Sequence, residues 1–219
     1  MKHEETVKAI EANKIITILR GLTEEQLIRT CEAMERGGIR LAEVTFSATG
    51  EPSDEVIAGY IRTLAAHFAG SMHIGAGTVL TERQVRLAAE AGAEFIISPD
   101  TNADVIRATR EAGLVSIPGA FTPSEATAAH RAGADFIKLF PNSEVKISYL
   151  KALAVPLSHI RFLAVGGVND GNLPDYLAAG AKGVGIATGI VNKKLIAAGD
   201  YDAITALAAR YTERAGVGK

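Results

Sequence analysis

The chain reads as a single (β/α)8 barrel, residues 1–219, with a short helix leading into it. Three observations predict this. Apolar strand-like runs and helical runs alternate eight times along the chain. The strand-like runs lack apolar–polar alternation, as expected of parallel strands covered by helices. A weak echo also recurs: Ala91-Gly92-Ala93, Ala132-Gly133-Ala134 and Ala179-Gly180-Ala181 each close a helix just before an apolar run. Glycine in that place ends a helix in a left-handed turn. The repeating unit is about 20 to 27 residues, so eight units fill the chain at the compact end for this fold. A doubly wound open sheet is the alternative. It would normally carry Gly-x-Gly-x-x-Gly after the first strand, where this chain has Arg20-Gly21-Leu22-Thr23.

The elements follow in order. Thr6 to Asn13 is the lead-in helix, and the β-branched run Ile15 to Leu19 is the first strand. Thr23 caps the next helix, with Gln26 at the capping-box position, and that helix runs to Gly37-Gly38. Ile39 to Phe46 is the second strand, Glu51 to Ala69 a helix, and Met72 to Gly75 the third strand. Thr81 caps a helix ending at Gly92; Phe95 to Ser98 is the fourth strand and Thr101 to Ala112 its helix. Leu114 to Ile117 is the fifth strand, followed by a helix from Thr122 to Ala132. The sixth strand is Phe136 to Phe140, closed by Pro141, which cannot continue a central strand. A weaker helix covers Ser148 to Leu153. Ile160 to Val165 is the seventh strand, Asn172 to Ala179 a helix, Gly183 to Ile186 the eighth strand, and the remainder mostly helix.

Composition excludes several classes of function. A net charge of −2, with no basic run and no aromatic–basic interleaving, gives no nucleic-acid signature. No apolar stretch is long enough to span a bilayer. The charged start Met1-Lys2-His3-Glu4-Glu5 has no apolar signal region behind it. One cysteine, Cys31, permits no internal disulfide and suits a cytoplasmic protein. The five histidines are scattered without metal-ligand spacing, so neither a metal nor another cofactor is expected. No serine elbow or Cys–His arrangement is present either.

Two charges sit among apolar strand residues. In the sixth strand, Phe136, Lys138 and Phe140 share one face. Desolvation there would favour the neutral amine, a nucleophile able to condense with a ketone. Alternatively the lysine sits at a strand end and its head reaches solvent. In the second strand, Ala42, Val44 and Phe46 are wholly apolar and face the helices, which turns Leu41, Glu43 and Thr45 into the barrel. A buried Glu43 is either paired, with Lys138 as one candidate partner, or kept for proton transfer. Both charges in one barrel mouth favour catalysis.

Reactive residues of such barrels lie at the C-terminal ends of strands. There this chain has Arg20, Thr78, Pro99, Pro118, Val165-Gly166-Gly167 and Thr188-Gly189. The glycines after the seventh strand, with Thr188, occupy the corner where backbone N–H groups often hold phosphate. Arg20 is a cation for a carboxylate or phosphate, or one half of a surface salt bridge. Thr78, behind two glycines, could donate to a carboxylate.

Taken together, Ile18 to Gly21, Glu43-Val44-Thr45, Gly75 to Leu80, Ile97-Ser98-Pro99, Ile117-Pro118-Gly119, Lys138 to Pro141 and Gly166-Gly167-Val168 resemble the keto-deoxy-phosphogluconate and keto-hydroxyglutarate aldolase family. The resemblance spans nearly the whole chain; each motif is weak, but their order and spacing are specific. It implies a class I aldolase without metal, usually a homotrimer, acting on a keto acid or phosphosugar acid. It makes Lys138 the Schiff-base lysine and Glu43 the proton carrier. Arg20 and Thr78 would lie at the pyruvyl carboxylate end, and Gly166, Gly167 and Thr188 at the phosphate, with Pro99, Pro118, Phe140 and Val165 contributing to the binding site. Three departures stand out, one being Ile186-Ala187-Thr188 where a small residue, Gly and Ser are usual, though Thr188 keeps a hydroxyl. Ser47 replaces an arginine and Val165 a threonine, as in the phosphogalactonate branch. Two other readings remain at this point: another phosphate-binding barrel enzyme such as an isomerase or epimerase, and a non-catalytic phosphosugar-binding relative.

Overall fold

A computed structural model of the protein describes residues 2–217. Its strands are β1 (Ile15–Leu19), β2 (Leu41–Thr45), β3 (His73–Gly77), β4 (Phe95–Ile97), β5 (Val115–Ile117), β6 (Gly119–Ala120), β7 (Ile137–Leu139), β8 (Phe162–Val165) and β9 (Gly183–Ile186). They form one parallel sheet in the order β5-β4-β3-β2-β1-β9-β8-β7-β6. β5 and β6 are two halves of one barrel strand, interrupted at Pro118, which has no N–H to give to a ladder. β5 pairs with β4 and β6 pairs with β7. Across the break, Phe136 N–H donates to Ser116 O (3.2 Å) and Lys138 N–H to Pro118 O (2.9 Å). The ring therefore closes, and the open-sheet alternative is excluded.

The helices lie outside. Before β1 comes α1 (Lys2–Asn13); after it, α2 (Glu24–Arg36), α3 (Asp54–His67), α4 (Glu82–Glu90), α5 (Ala103–Glu111), α6 (Pro123–Arg131), α7 (Ile147–Ala154) and α8 (Leu173–Ala178). The remainder, expected to be mostly helix, forms α9 (Lys193–Ala198) and α10 (Tyr201–Ala215), divided by Gly199 in the left-handed region. Local chemistry sets the starts. Thr23 and Gln26 form a capping box on α2, and Thr122 and Glu125 form another on α6. α3 begins at Asp54 rather than Glu51, because Pro52 precedes the true cap, Ser53. Gly92, Gly133 and Gly180, the echoing glycines, have φ of 91°, 107° and 108°, a region costly for any side chain with a Cβ.

Two apolar layers hold this together. The larger lies between strands and helices and takes Ala42, Val44 and Phe46 from β2 and the residue after it. The smaller fills the lower barrel with Phe95, Phe136, Leu41 and Leu163, and Ile10 of α1 plugs its N-terminal end. Gly75 makes room there: a Cβ on it would meet the Phe95 ring at 2.2 Å. Above this layer the interior becomes polar, and Glu43, Lys138 and Thr45 are the buried polar side chains turned toward the barrel mouth.

Candidate active site

β7 carries Lys138 on the inward face between Phe136 and Phe140, as strand alternation predicts. The residue is only 7% exposed, so it is buried in the mouth rather than extended into solvent. Its Nζ lies 4.5 Å from the centroid of the Phe140 ring, within cation–π range. On β2, across the barrel with three strands between, Glu43 is 2% exposed. Gly77 of neighbouring β3 provides its seat, since a Cβ there would stand 2.5 Å from Glu43 Oε2. That oxygen is buried with no hydrogen-bond partner. The expected alternative of a Glu43–Lys138 ion pair is not realised; the two groups face one cavity without contact.

Burial controls both groups. Desolvation pushes the Glu43 carboxyl above the usual carboxylate range, opposed by the nearby Lys138 and Arg20 cations. Desolvation pulls Lys138 below the ordinary lysine range; Glu43 opposes this and Arg20 adds to it. The first drift favours a neutral acid and the second a neutral amine. An amine and an acid poised in this way can attack a carbonyl and move the protons that attack requires.

Arg20, at the end of β1, leans toward β2 and β3. Its Nε donates to Thr45 Oγ1 (3.3 Å) and its Nη2 to Thr78 Oγ1 (3.1 Å). Among the described residues it has no carboxylate partner, so the surface-salt-bridge alternative is also not realised. Thr78 has φ of 56°, a rare conformation for a β-branched residue and a strained one. Thr45 lies on the inward face as expected, but its part in holding Arg20 escapes strand-end reading. Ser47 turns away and bonds within its own loop, to Thr49 Oγ1 (2.9 Å) and Glu51 O (2.8 Å).

The opposite rim is built from β8 and β9. Gly166 and Gly167 have φ of 106° and 71°. Their carbonyls are tied down, Gly166 O by the buried Asn142 amide (3.1 Å) and Gly167 O by the Asn172 amide (3.0 Å). Thr188 follows β9. All of these line one cavity of about 820 Å³ with Lys138, Glu43, Arg20, Thr78, Pro99, Phe140 and Val165. Pro118 is the exception. It does not line the cavity, and instead its carbonyl fixes the Lys138 backbone. Among the lining residues that were not expected are Lys193 at the start of α9 and Tyr211 of α10. The Tyr211 hydroxyl rests so close to Gly189 that a Cβ there would be 2.2 Å from it.

The histidines stand elsewhere in structural pairs, among them His3 with Asp135 and His73 with Glu94. Among the described residues no three His, Cys, Asp or Glu side chains converge as a metal site, and no helix is long and apolar enough to cross a membrane.

The family model described as "Aldolase: KDPG and KHG aldolase" matches residues 6–207. The chain belongs to the KDPG and KHG aldolase family. Within this aldolase family it is 36% identical over 198 residues to a probable 2-dehydro-3-deoxy-6-phosphogalactonate aldolase of Rhizobium meliloti, covering 89% of this chain and 90% of that one. It is 35% identical to the KHG/KDPG aldolase of Escherichia coli strain K12 over 87% of each chain. Its fold matches the KDPG aldolase of Legionella pneumophila, whose structure holds pyruvate captured at low pH as a covalent carbinolamine. There the TM-score is 0.83, with 28% identity and coverage of 93% of this chain and 96% of that one.

Proposed function

We propose that the protein is a class I aldolase that cleaves a 2-keto-3-deoxy-6-phospho sugar acid, or 4-hydroxy-2-oxoglutarate, to pyruvate and an aldehyde. The observation that carries this reading is that, among the described residues, the Lys138 amine and the Glu43 carboxyl stand unpaired in one barrel mouth. Lys138 Nζ adds to the C2 ketone to give a carbinolamine. Loss of water, with a proton delivered by Glu43, leaves an iminium. Glu43, now a carboxylate, takes the C4 hydroxyl proton as the C3–C4 bond breaks; the aldehyde departs and the bonding pair passes into an enamine. Protonation of the enamine at C3 and addition of water return pyruvate and the free lysine. Arg20, held by Thr45 and Thr78, carries the substrate carboxylate. Gly166, Gly167 and Thr188 take the distal phosphate.

Three features favour the phosphogalactonate substrate: Ser47 turned into its own loop, the hydroxyl-free Val165, and the likeness to the Rhizobium meliloti protein. We place the chain in the cytoplasm as one barrel domain and a homotrimer, on the strength of the family and the single buried thiol. Incubation with pyruvate and borohydride, followed by peptide mass analysis, tests the reading. A reduced pyruvyl adduct on Lys138 is expected, and an unmodified lysine overturns it. A panel of gluco, galacto and hydroxyglutarate substrates, with released pyruvate measured, tests the preference.

A further inference from the structure

Lys193 has no role in the chemistry above, yet its side chain lines the same cavity. It is exposed, and among the described residues no ion pair or hydrogen bond engages its ammonium. The head group lies over the turn after β1: a Cβ on Gly21 would stand 3.1 Å from Lys193 Nζ. Gly21, with no side chain and φ of 65°, leaves that space open.

The charge of the mouth shows what the amine is for. The side chains lining the cavity include three cations, Arg20, Lys138 and Lys193, and one acid, Glu43. Burial drives Lys138 and Glu43 toward neutrality. The two cations left, Arg20 and Lys193, are committed to no acidic side chain. They also start from different strand ends. Arg20 is drawn toward β2 and β3 by Thr45 and Thr78, whereas Lys193 rises from the loop after β9, five residues beyond Thr188. Two free cations in one cavity with a reacting amine match a substrate with an anion at each end.

We propose that Lys193 is a specificity-determining residue that recognises the distal anion of the substrate, a phosphate in preference to a carboxylate or a hydroxyl. The glycine corner and Thr188 offer this group neutral donors only, and Lys193 supplies the charge that selects it. A phosphate carries more charge and more acceptor oxygens than a carboxylate, so an ammonium discriminates in its favour. This inference rests on the aldolase reading and adds the basis for choosing among its substrates.

The test compares the wild-type protein with Lys193→Ala, Lys193→Arg and Lys193→Glu. Each is assayed for pyruvate release from the phosphorylated keto-deoxy acid and from the same acid lacking the phosphate. The ratio of kcat/KM for phosphorylated over unphosphorylated substrate should fall about tenfold or more in Lys193→Ala, through KM. It should fall further in Lys193→Glu and return toward wild type in Lys193→Arg. Borohydride trapping of pyruvate at Lys138 reports in each variant whether the reacting end is intact. Trapping with an unchanged ratio overturns the inference while leaving the aldolase reading in place. Equal losses on both substrates assign Lys193 a structural role and overturn it as well. Absence of trapping in the wild-type protein overturns the aldolase reading itself, and this inference with it.

Discussion

Substituting Gly77 by alanine tests whether the position of Glu43 matters, without replacing Glu43 or Lys138. The added methyl would stand 2.5 Å from Glu43 Oε2, 2.6 Å from its Cδ and 2.9 Å from Oε1. Ordinary contact distances are near 3.5 Å, so the carboxyl must retreat by about 1 Å. Gly77 is absent from the positive-φ glycines, so the backbone itself accepts alanine. A displacement of about 1 Å at a catalytic group costs on the order of 10²-fold in rate. Crowding the barrel interior costs about 1–3 kcal/mol in stability. We expect Gly77→Ala to fold with a lowered Tm and to lose about a hundredfold in kcat for pyruvate release, with smaller changes in KM. Exchange of the pyruvate methyl protons in deuterated water should slow in parallel, because it needs the same proton carrier. A folded variant with kcat within about twofold of wild type would show that the Glu43 position is not used, and the proton-transfer assignment would fall.

Lys138→Met should remove pyruvate trapping and lower turnover by about 10⁴-fold or more. In the wild-type protein, kcat/KM should rise with pH as Lys138 loses its proton, with its midpoint below the ordinary lysine range, since burial lowers that group. A midpoint in the ordinary range would contradict a desolvated amine. Glu43→Gln should abolish proton exchange yet stabilise the fold. The folded-state pKa of Glu43 is raised, so stability is lost as pH rises through that value. The Tm advantage of Glu43→Gln should therefore be small in acid and grow toward neutral and alkaline pH; a pH-independent advantage counts against burial of the charge. Thr78→Gly should relieve about 1 kcal/mol or more of backbone strain while removing a partner of Arg20. Tm should hold or rise as KM for keto acids rises severalfold, and a fall in Tm with unchanged KM would show that Thr78 serves packing rather than Arg20.

Much of this was legible in the chain because strand geometry has period two. Once Ala42, Val44 and Phe46 are given to the helices, Glu43 has nowhere to face but inward, and the same logic turns Lys138 with its two phenylalanines. Helix caps were legible for a similarly local reason: Thr23 with Gln26, or Thr81, satisfies orphan N–H groups within its own turn. What escaped depends on reach between elements distant in sequence. Arg20 finds Thr45 and Thr78, 25 and 58 residues on, through the parallel order of β1, β2 and β3. Tyr211 arrives from the middle of α10, where helical periodicity marks it only as a buried position. The pair Gly119–Ala120 has little strand preference of its own. It becomes β6 because ring closure brings β7 alongside, while Pro118 denies it continuity with β5.

On the proposed aldolase reading, the separation of Glu43 from Lys138 is what keeps both groups usable. A direct contact would stabilise the carboxylate and the ammonium, each by the other, and would leave a closed salt bridge with no proton to give and no lone pair to use. The fold prevents this in two ways. Gly77 opens a seat on β3 that draws the carboxyl to its own side of the barrel, and the Phe140 ring occupies the face of the Lys138 amine. Each group is then governed by desolvation more than by the other's charge, and the shifts run in opposite directions. Burial thus favours the neutral amine at Lys138 and the protonated acid at Glu43. Arg20 strengthens the arrangement on one side only: it favours the neutral amine at Lys138 while holding Glu43 within reach of ionisation. A barrel floor sealed by Phe95, Phe136 and Ile10 keeps water from restoring ordinary behaviour from below. The proposed chemistry thus depends on the apolar lower barrel as much as on the two residues above it.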